Sequence, residues 1–151
     1  MWLKAWALIV CALVNAYLLA VMVLFATVIY PGFGAVEAGA FPAAYAAFTR
    51  RIGVPVVLFE FLALLSTLPL YAARPVAVPL WAVHVLVALG VIYFVITFGF
   101  HLPAHRPLGA GQNDPAALAT LLSSQWWRTV VQLARVALLG WLSARAIRIA
   151  P

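Results

Sequence analysis

Three ionisable side chains lie inside otherwise apolar stretches of the sequence: Glu60, Arg128 and Arg135. The two arginines belong to the run SSQWWRTVVQLARVALLGWLSARAIR, residues 123–148, which otherwise has the composition of a membrane-spanning helix. An arginine at the centre of such a helix costs roughly 2.5 to 3.5 kcal/mol on insertion scales. A carboxylate within reach would offset part of that cost and could also take part in acid–base chemistry. Other elements of the chain must therefore bring Glu60 to these arginines.

The overall composition indicates the class of protein that these elements build. Of the 151 residues, 68% are hydrophobic and 8% are charged, whereas a soluble domain is typically about 45–50% apolar and about 25% charged. The formal net charge is +6, but the basic residues form no long run. This favours topology signals and interfacial anchors over nucleic-acid binding. The composition is that of an integral membrane protein, and its single cysteine, Cys11, excludes an internal disulfide.

Four apolar segments, at residues 5–30, 53–72, 79–100 and 118–143, are long enough to cross a bilayer. The more polar stretch at 36–50 is too short to span, and we expect it to form a short amphipathic helix on the membrane surface. The sequence therefore predicts an all-α fold in a single transmembrane domain, residues 1–151. The domain is an integral membrane four-helix bundle with the surface helix between the first and second spans.

Each apolar segment carries polar and small residues at helical spacing, which is typical of the face that a membrane helix turns toward other helices. In the fourth segment these residues are three, four and three positions apart, so they share a stripe roughly 80° wide. The stripes contain Asn15 and Tyr30 in the first segment, Glu60, Ala63, Thr67 and Tyr71 in the second, Gly90, Tyr93, Thr97 and His101 in the third, and Gln125, Arg128, Gln132 and Arg135 in the fourth.

The loops predict an orientation. We call side X the face of the bundle at which the first segment ends, and side Y the opposite face. The basic side chains at side Y are Lys4, Arg74, Arg145 and Arg148, and those at side X are Arg50, Arg51 and Arg106. Because cytoplasmic loops carry the excess of basic residues, we expect a multi-pass protein of a bacterial inner membrane with both termini in the cytoplasm.

The topology gathers polar side chains in the half of the bundle near side X, where Glu60 could pair with Arg135 or Arg128. Two arginines facing one carboxylate leave a cation that would attract an acidic or phenolic oxygen. A hydroxyl and an imidazole on one helical face could orient that group and accept its proton. The candidate catalytic residues are Glu60, Tyr93 and His101, and the candidate ligand-binding residues are Tyr30, Thr97, Arg128, Gln132 and Arg135. The alternative is a buried ion-pair network that only fixes helix register.

A metal site is a less favoured interpretation of the motif HLPAH. His101 and His105 are four residues apart, the spacing of two metal ligands on one face of a helix. Pro103 lies between them and predicts a turn instead, and only Glu60 or Asp114 could supply an acidic third ligand. The sequence therefore favours hydrogen-bonding histidines at the membrane interface, and it predicts no cofactor.

The run FGFHLPAHRPLGAGQNDPAALATLLSSQWWRTVVQLARVALLG, residues 98–140, resembles part of the anthrone-oxygenase-like family of small four-span membrane proteins. That family tends to have a polar-x-Pro-x-polar turn after its third span, then a tryptophan and a later basic residue in the fourth. The matching positions are His101, Pro103 and His105, where many members have asparagines, then Trp127 and Arg135 or Arg128. The resemblance implies a cofactor-independent monooxygenase acting on a polyketide phenol, or a membrane protein without an assigned activity.

Three functions are open at this point. The first is a membrane protein whose polar pocket binds, and as an oxygenase could oxidise, a lipophilic acidic or phenolic molecule. The second is a non-catalytic accessory subunit of a larger respiratory or photosynthetic complex, with membrane lipid and other membrane subunits as partners. The third is a proton-coupled transporter, which the arginines disfavour because they would hold Glu60 ionised.

Overall fold

The computed structural model describes residues 2–149, which are helical apart from short connections. Two π-helical turns, Phe25–Ile29 and Thr97–His101, join α1 to α2 and α4 to α5, and a 3-10 turn, Leu68–Tyr71, follows α3. The α-helices of this part of the chain are α1 (Trp2–Leu24), α2 (Tyr30–Phe33), α3 (Phe41–Leu65), α4 (Leu80–Ile96), α5 (Leu102–Gly109) and α6 (Pro115–Ile149). The predicted all-α class is confirmed.

The helices join into four continuous stretches that are long and apolar enough to cross a membrane. We call them spans one to four: Lys4–Phe33, Phe41–Tyr71, Leu80–Gly109 and Pro115–Arg148. Their lengths of 30 to 34 residues exceed the roughly 20 residues that cross the hydrocarbon core. Each span therefore extends beyond the apolar segment that predicted it, and the protein is a multi-pass membrane protein.

Two hydrophobic clusters establish that consecutive spans run antiparallel. One cluster unites the start of span one, the end of span two, the start of span three and the end of span four through Leu8, Leu70, Ala82 and Leu142. The other unites the opposite ends of the same spans through Phe33, Phe41, Leu108 and Leu121. The first cluster lies at side Y and the second at side X, so the described residues form the predicted up-down-up-down bundle.

The predicted separate surface helix is wrong. Helix α3 begins at Phe41 and continues without interruption to Leu65, with Pro55 inside it. Phe41 and Tyr45 are fully buried against the other spans, so this stretch packs in the bundle. The apolar pattern is interrupted by Arg50 and Arg51, but arginine is a good helix former and does not end a helix. Residues 41–50 of the stretch predicted to lie on the surface are the first part of span two.

The predicted turn at Pro103 is also wrong, because the chain stays helical through it. The Leu102 amide donates to the carbonyl of Thr97, five residues earlier, which closes the π-helical turn before the proline. A matching π-helical turn precedes Pro31, where the Tyr30 amide donates to Phe25. The wider turn places each proline in the first turn of the helix that follows, where its missing N–H costs least. Proline therefore changes the helical register without ending the span.

Candidate functional site

A cavity of about 430 Å³ lies in the half of the bundle nearest side X. Most of its wall is aliphatic or aromatic. The apolar lining includes Met22, Phe25, Phe48, Ile52, Val56, Phe94 and Phe98. The polar lining consists of Tyr30, Thr49, Glu60, Thr97, His101, His105 and Arg128. An apolar volume of this size with a few polar groups is typical of a small-molecule site.

The cavity opens sideways between spans two and three. Val57 and Phe61 of span two and Phe98 and Leu102 of span three line it, and all four are exposed on the outside of the bundle. Helices α3 and α4 make few contacts with each other compared with those that each of α1 and α4 makes with α6. In a bilayer this gap faces lipid, so a lipophilic molecule could enter without crossing water.

The ion pair predicted for Glu60 is formed with Arg128. Nη2 of Arg128 donates to Oε1 of Glu60 and to the hydroxyl of Tyr93, while Nη1 donates to Gln125 Oε1 at 3.1 Å. The guanidinium carbon also lies 4.8 Å from the centre of the Tyr93 ring. Arg128 and Glu60 are 2% and 5% exposed, so each charge depends on the other for its compensation. We call Glu60, Tyr93, Gln125 and Arg128 the cavity layer.

Beside this layer, two histidines and a tyrosine form a second polar group, which we call the histidine cluster: Tyr30, His101 and His105. Nε2 of His101 lies 3.1 Å from the Tyr30 hydroxyl and 3.3 Å from Nε2 of His105. On its other side, Nδ1 of His101 lies 2.9 Å from the hydroxyl of Ser124, and Nδ1 of His105 is hydrogen-bonded to the hydroxyl of Tyr45. All three members line the cavity.

The π-helical turns explain how these side chains reach the cavity. Phe25 begins the first of these turns and Tyr30 follows it directly, while Thr97 and His101 begin and end the second. All four residues line the cavity. Because a π-helical turn contains an extra residue, it shifts every later side chain around the helix axis, and such turns are frequent at functional sites. The two π-helical turns thereby help to build the site.

Arg135, the second deep arginine, does not reach the cavity. Its Nη2 donates to the backbone carbonyl of Ala63 at 2.8 Å, and Nη1 lies 3.4 Å from Gln132 Oε1. Gln132 in turn donates to both oxygens of Asn15, at 2.9 and 3.0 Å. We call Asn15, Ala63, Gln132 and Arg135 the deep layer. It lies closer to side Y than the cavity layer and does not line the cavity.

The end of helix α3 explains why Arg135 needs no carboxylate. Near that end the Thr67 amide donates to Leu64 instead of Ala63, so the Ala63 carbonyl has lost its helical partner. It accepts instead from Arg135, from Ser66 at 3.0 Å and from Asn15 at 3.3 Å. The last carbonyls of a helix carry a partial negative charge that stabilises a nearby cation. The carboxyl end of α3 therefore stabilises the charge of Arg135, as the Glu60 carboxylate stabilises the charge of Arg128.

These contacts correct the charge argument made from the sequence. That argument placed both arginines and one glutamate in one pocket and left a cation there. The structure places Tyr30, Glu60, Thr97, His101 and Arg128 on the cavity wall, but not Tyr93, Gln132 or Arg135. Tyr93 lies behind the ion pair, where its hydroxyl accepts from Arg128 and donates to the Met22 sulfur at 3.3 Å. Within the described residues, the cavity wall carries one guanidinium and one carboxylate.

Some residues of the site went unrecognised in the sequence. Ser124 lies four positions before Arg128 on the inward stripe of span four, so its role could have been found from spacing. Tyr45 could not, because it belongs to the stretch that was assigned to the membrane surface. His105 was expected to be a hydrogen-bonding histidine at the membrane interface, with a metal ligand as the less favoured alternative, and it was not included among the predicted site residues. Its place on the cavity wall follows from the continuous helix.

Asp114 does not line the cavity. Asp114, considered as a third metal ligand, accepts from the Ala116 amide at 2.9 Å and caps the start of α6. Among residues 2–149, no group of three or more histidine, cysteine, aspartate and glutamate side chains could hold a metal ion.

No family model, curated protein or solved structure matches the chain. The class that the fold defines is a multi-pass membrane helix bundle with a lipid-facing cavity.

Proposed function

We propose that this protein binds a flat, lipophilic molecule with one phenolic hydroxyl, which enters the cavity sideways from the bilayer. The observation that supports this proposal is the cavity itself. Its volume of about 430 Å³ and its mostly apolar wall suit a small hydrophobic molecule, and its opening between spans two and three faces lipid. The histidine cluster and the cavity layer supply the polar groups that would hold the hydroxyl.

The hydrogen bonds around His101 favour a hydroxyl that donates a proton. The Ser124 hydroxyl donates to the Leu121 carbonyl at 2.9 Å, so its oxygen accepts from Nδ1 of His101. The Nδ1–H tautomer leaves Nε2 of His101, on the cavity side, as an acceptor. A phenol that displaces the Tyr30 hydroxyl, 3.1 Å from this nitrogen, could donate to it, and with His101 as the base it could transfer its proton.

The charges favour a neutral phenol over a carboxylate. Glu60 already compensates Arg128, so a fully charged anion would have to compete with a buried carboxylate. A hydroxyl requires only single hydrogen bonds. A phenol meets this requirement by donating its proton to His101.

A pair of probes tests the proposal. The protein, in lipid nanodiscs, is titrated with 1-naphthol and with naphthalene, which has the same rings and no hydroxyl, and empty nanodiscs correct for partition into lipid. We expect saturable binding of one 1-naphthol per chain and roughly tenfold weaker binding of naphthalene, because one net hydrogen bond is worth about 1.4 kcal/mol. Equal binding of the two probes, or no saturable binding, would overturn the proposal.

Two glycines provide a matched pair of variants for the same titration. A Cβ atom added at Gly53 or at Gly99 meets no other atom within 4 Å, so a side chain can begin at either position without a clash at its first atom. Gly53 lines the cavity and Gly99 does not. We expect Gly53→Leu to weaken 1-naphthol binding at least about tenfold, the loss of a few buried methylene contacts, and Gly99→Leu to leave it unchanged. Equal effects would place the probe outside the cavity.

Oxidation of the bound phenol, which the resemblance of residues 98–140 implies, is a further part of the proposal. Its probe is anthrone, added to the same nanodiscs while dissolved oxygen is recorded. Consumption of oxygen that His101→Gln abolishes would support an oxygenase. Saturable binding without consumption would limit the function to binding.

A non-catalytic accessory subunit is the second candidate. Trp126 and Trp127 are 46% and 65% exposed on span four, and exposed indoles suit either a partner subunit or the membrane interface. Purification from the native membrane in a mild detergent separates the two candidates. A stoichiometric membrane partner together with no naphthol binding would favour the subunit, and naphthol binding by the isolated chain would favour the pocket.

We also propose that side Y faces the cytoplasm of a bacterial inner membrane. Lys4, Arg74, Arg145 and Arg148 support this orientation against Arg50, Arg51 and Arg106 at side X. It puts both ends of the chain in the cytoplasm and the cavity in the outer half of the bilayer. Single cysteines at positions 75 and 113, in a Cys11→Ala background, would be labelled from opposite sides by a membrane-impermeant maleimide, with position 113, which is exposed at side X, accessible from outside.

A further inference from the structure

Three donor atoms converge in the histidine cluster. Nε2 of His101 lies 3.3 Å from Nε2 of His105 and 3.1 Å from the Tyr30 hydroxyl oxygen. Two imidazole nitrogens bound to a tetrahedral Zn²⁺ at about 2.0 to 2.1 Å are themselves about 3.3 to 3.4 Å apart. The two imidazole nitrogens therefore lie at the separation that one bound metal ion would impose on them, and the Tyr30 oxygen lies close to one of the two.

Two features of the sequence disfavoured a metal site here, and neither disfavours it in the structure. They were a turn at Pro103 and the lack of an acidic third ligand. The chain is helical from Thr97 to Gly109, so His101 and His105 do share one helical face. The third donor comes from span one and is the phenol of Tyr30, a residue type that a search for acidic ligands would overlook.

Residues outside the cluster are hydrogen-bonded to the Nδ1 atoms of both histidines, which leaves their Nε2 atoms in a position to bind a metal. A histidine that binds through Nε2 needs its Nδ1–H satisfied by an acceptor, which fixes the tautomer and the ring orientation. Ser124 accepts from Nδ1 of His101, because its own proton is donated to Leu121. Tyr45 is hydrogen-bonded to Nδ1 of His105, and a tyrosine hydroxyl can accept as well as donate. Both histidines thus have an outer partner of the right kind.

We propose that His101, His105 and Tyr30 bind one divalent first-row transition metal ion such as Zn²⁺. Imidazole nitrogen suits these metals, and loss of the Tyr30 proton on binding would compensate one of the two positive charges. The neighbouring Arg128 is neutralised by Glu60. All three donors line the cavity, so a fourth coordination position would face the volume in which the phenol is proposed to bind.

This inference deepens the proposed function, because it assigns the ligand oxygen a metal ion as its partner in place of Nε2 of His101, which would itself bind the metal. Only that last step rests on the proposed function, since the metal needs no organic ligand in order to bind. A metal in this position would act as a Lewis acid that favours the deprotonated phenol. The inference departs from the sequence-based expectation that the protein has no cofactor.

The probe is Co²⁺, whose visible absorption is strong in four-coordinate sites. The chain, purified with a tag that contains no histidine and treated with a chelator, is titrated with Co²⁺ in nanodiscs. We expect one Co²⁺ per chain, an intense visible band, and its loss when Zn²⁺ is added. His101→Gln and His105→Gln should each abolish the band. His84→Gln is the matched control, because His84 is exposed and lies beside Tyr71, away from the cluster.

Two further variants distinguish a three-ligand metal site from a pair of histidines that binds a metal without further support. Tyr30→Phe should shift the Co²⁺ band and weaken binding at least about tenfold. Ser124→Ala, which removes only the outer partner of His101, should weaken binding by about 10- to 100-fold. Gly53→Leu should weaken 1-naphthol binding at least about tenfold and leave the Co²⁺ band unchanged, so failure of the phenol proposal and failure of the metal proposal give different results. An absent band, or one that His84→Gln reduces as much as His101→Gln, would overturn the metal site.

Discussion

Arg128 and Arg135 lie on the same face of span four, seven positions apart, and the bundle compensates them by different means. In the cavity layer, Arg128 meets a carboxylate, a tyrosine hydroxyl and a glutamine. In the deep layer, Arg135 meets a backbone carbonyl and a glutamine. The comparison teaches that a buried guanidinium does not by itself indicate a ligand, because a helix end can replace an acid. What distinguishes the cavity layer is the open volume beside it.

The largest effect is expected from breaking the pair in the cavity layer. Glu60→Leu would leave Arg128 buried without a carboxylate, and we expect a loss of about 3–5 kcal/mol in the free energy of unfolding. The double variant with Arg128→Met should be milder than either single change, because it leaves no charge unpaired. Unfolding in mixed detergent micelles measures all three variants. A single variant as stable as the parent chain would mean that the pair does not form.

A smaller effect is expected in the deep layer. Arg135→Met removes a cation whose main partner, the Ala63 carbonyl, still accepts from Ser66 and Asn15. Because no charge is left unpaired, we expect a loss of about 1–3 kcal/mol, less than for Glu60→Leu. The affinity for 1-naphthol should change by less than about twofold, because Arg135 does not line the cavity and one hydrogen bond made elsewhere accounts for most of the difference between 1-naphthol and naphthalene. Loss of naphthol binding would show that the two layers are coupled.

The close approach of spans two and three near the deep layer predicts a still smaller effect. A Cβ atom at Gly90 would lie 2.6 Å from Leu64 Cδ1 and 3.6 Å from the Arg135 guanidinium. The Leu64 side chain must move to make room, so Gly90→Ala should cost about 1 kcal/mol. Gly99→Ala is the control: it meets nothing within 4 Å and should be neutral or stabilising in a helix. Thermal unfolding of the two variants makes the comparison, and equal midpoints would contradict it.

The smallest effect concerns Thr97, which the sequence marked as a ligand-binding residue. It lines the cavity, but its hydroxyl donates to the Tyr93 carbonyl one helical turn earlier at 2.9 Å. Thr97→Val keeps the shape and removes only this local bond. We expect stability to change by less than about 0.5 kcal/mol and 1-naphthol binding by less than about twofold. A larger loss in the titration would mean that the hydroxyl contacts the ligand.

The four-helix arrangement could be predicted because a membrane helix has apolar residues on its lipid-facing side and polar residues on its inward side. The stripes of Glu60, Tyr93 and Gln125 were identified from spacing alone, and the structure buries all three. The surface helix was predicted wrongly because polar residues at the start of a long helix have the same composition as a surface helix. The turn at Pro103 was predicted wrongly because proline normally ends a helix, and the π-helical turn that accommodates it depends on packing with neighbouring spans.

Composition and a period of 3.6 residues are enough to predict four membrane-spanning helices with Glu60, Arg128 and Arg135 on their inward faces. Which of the two arginines meets Glu60 depends on the tertiary structure. Both arginines are on one stripe, two turns apart, so the choice depends on how span two is placed along span four. That placement follows from the close approach at Gly90 and from the point at which α3 ends, where the freed carbonyl of Ala63 attracts Arg135. Contacts between distant parts of the chain set this register, and no local pattern records it.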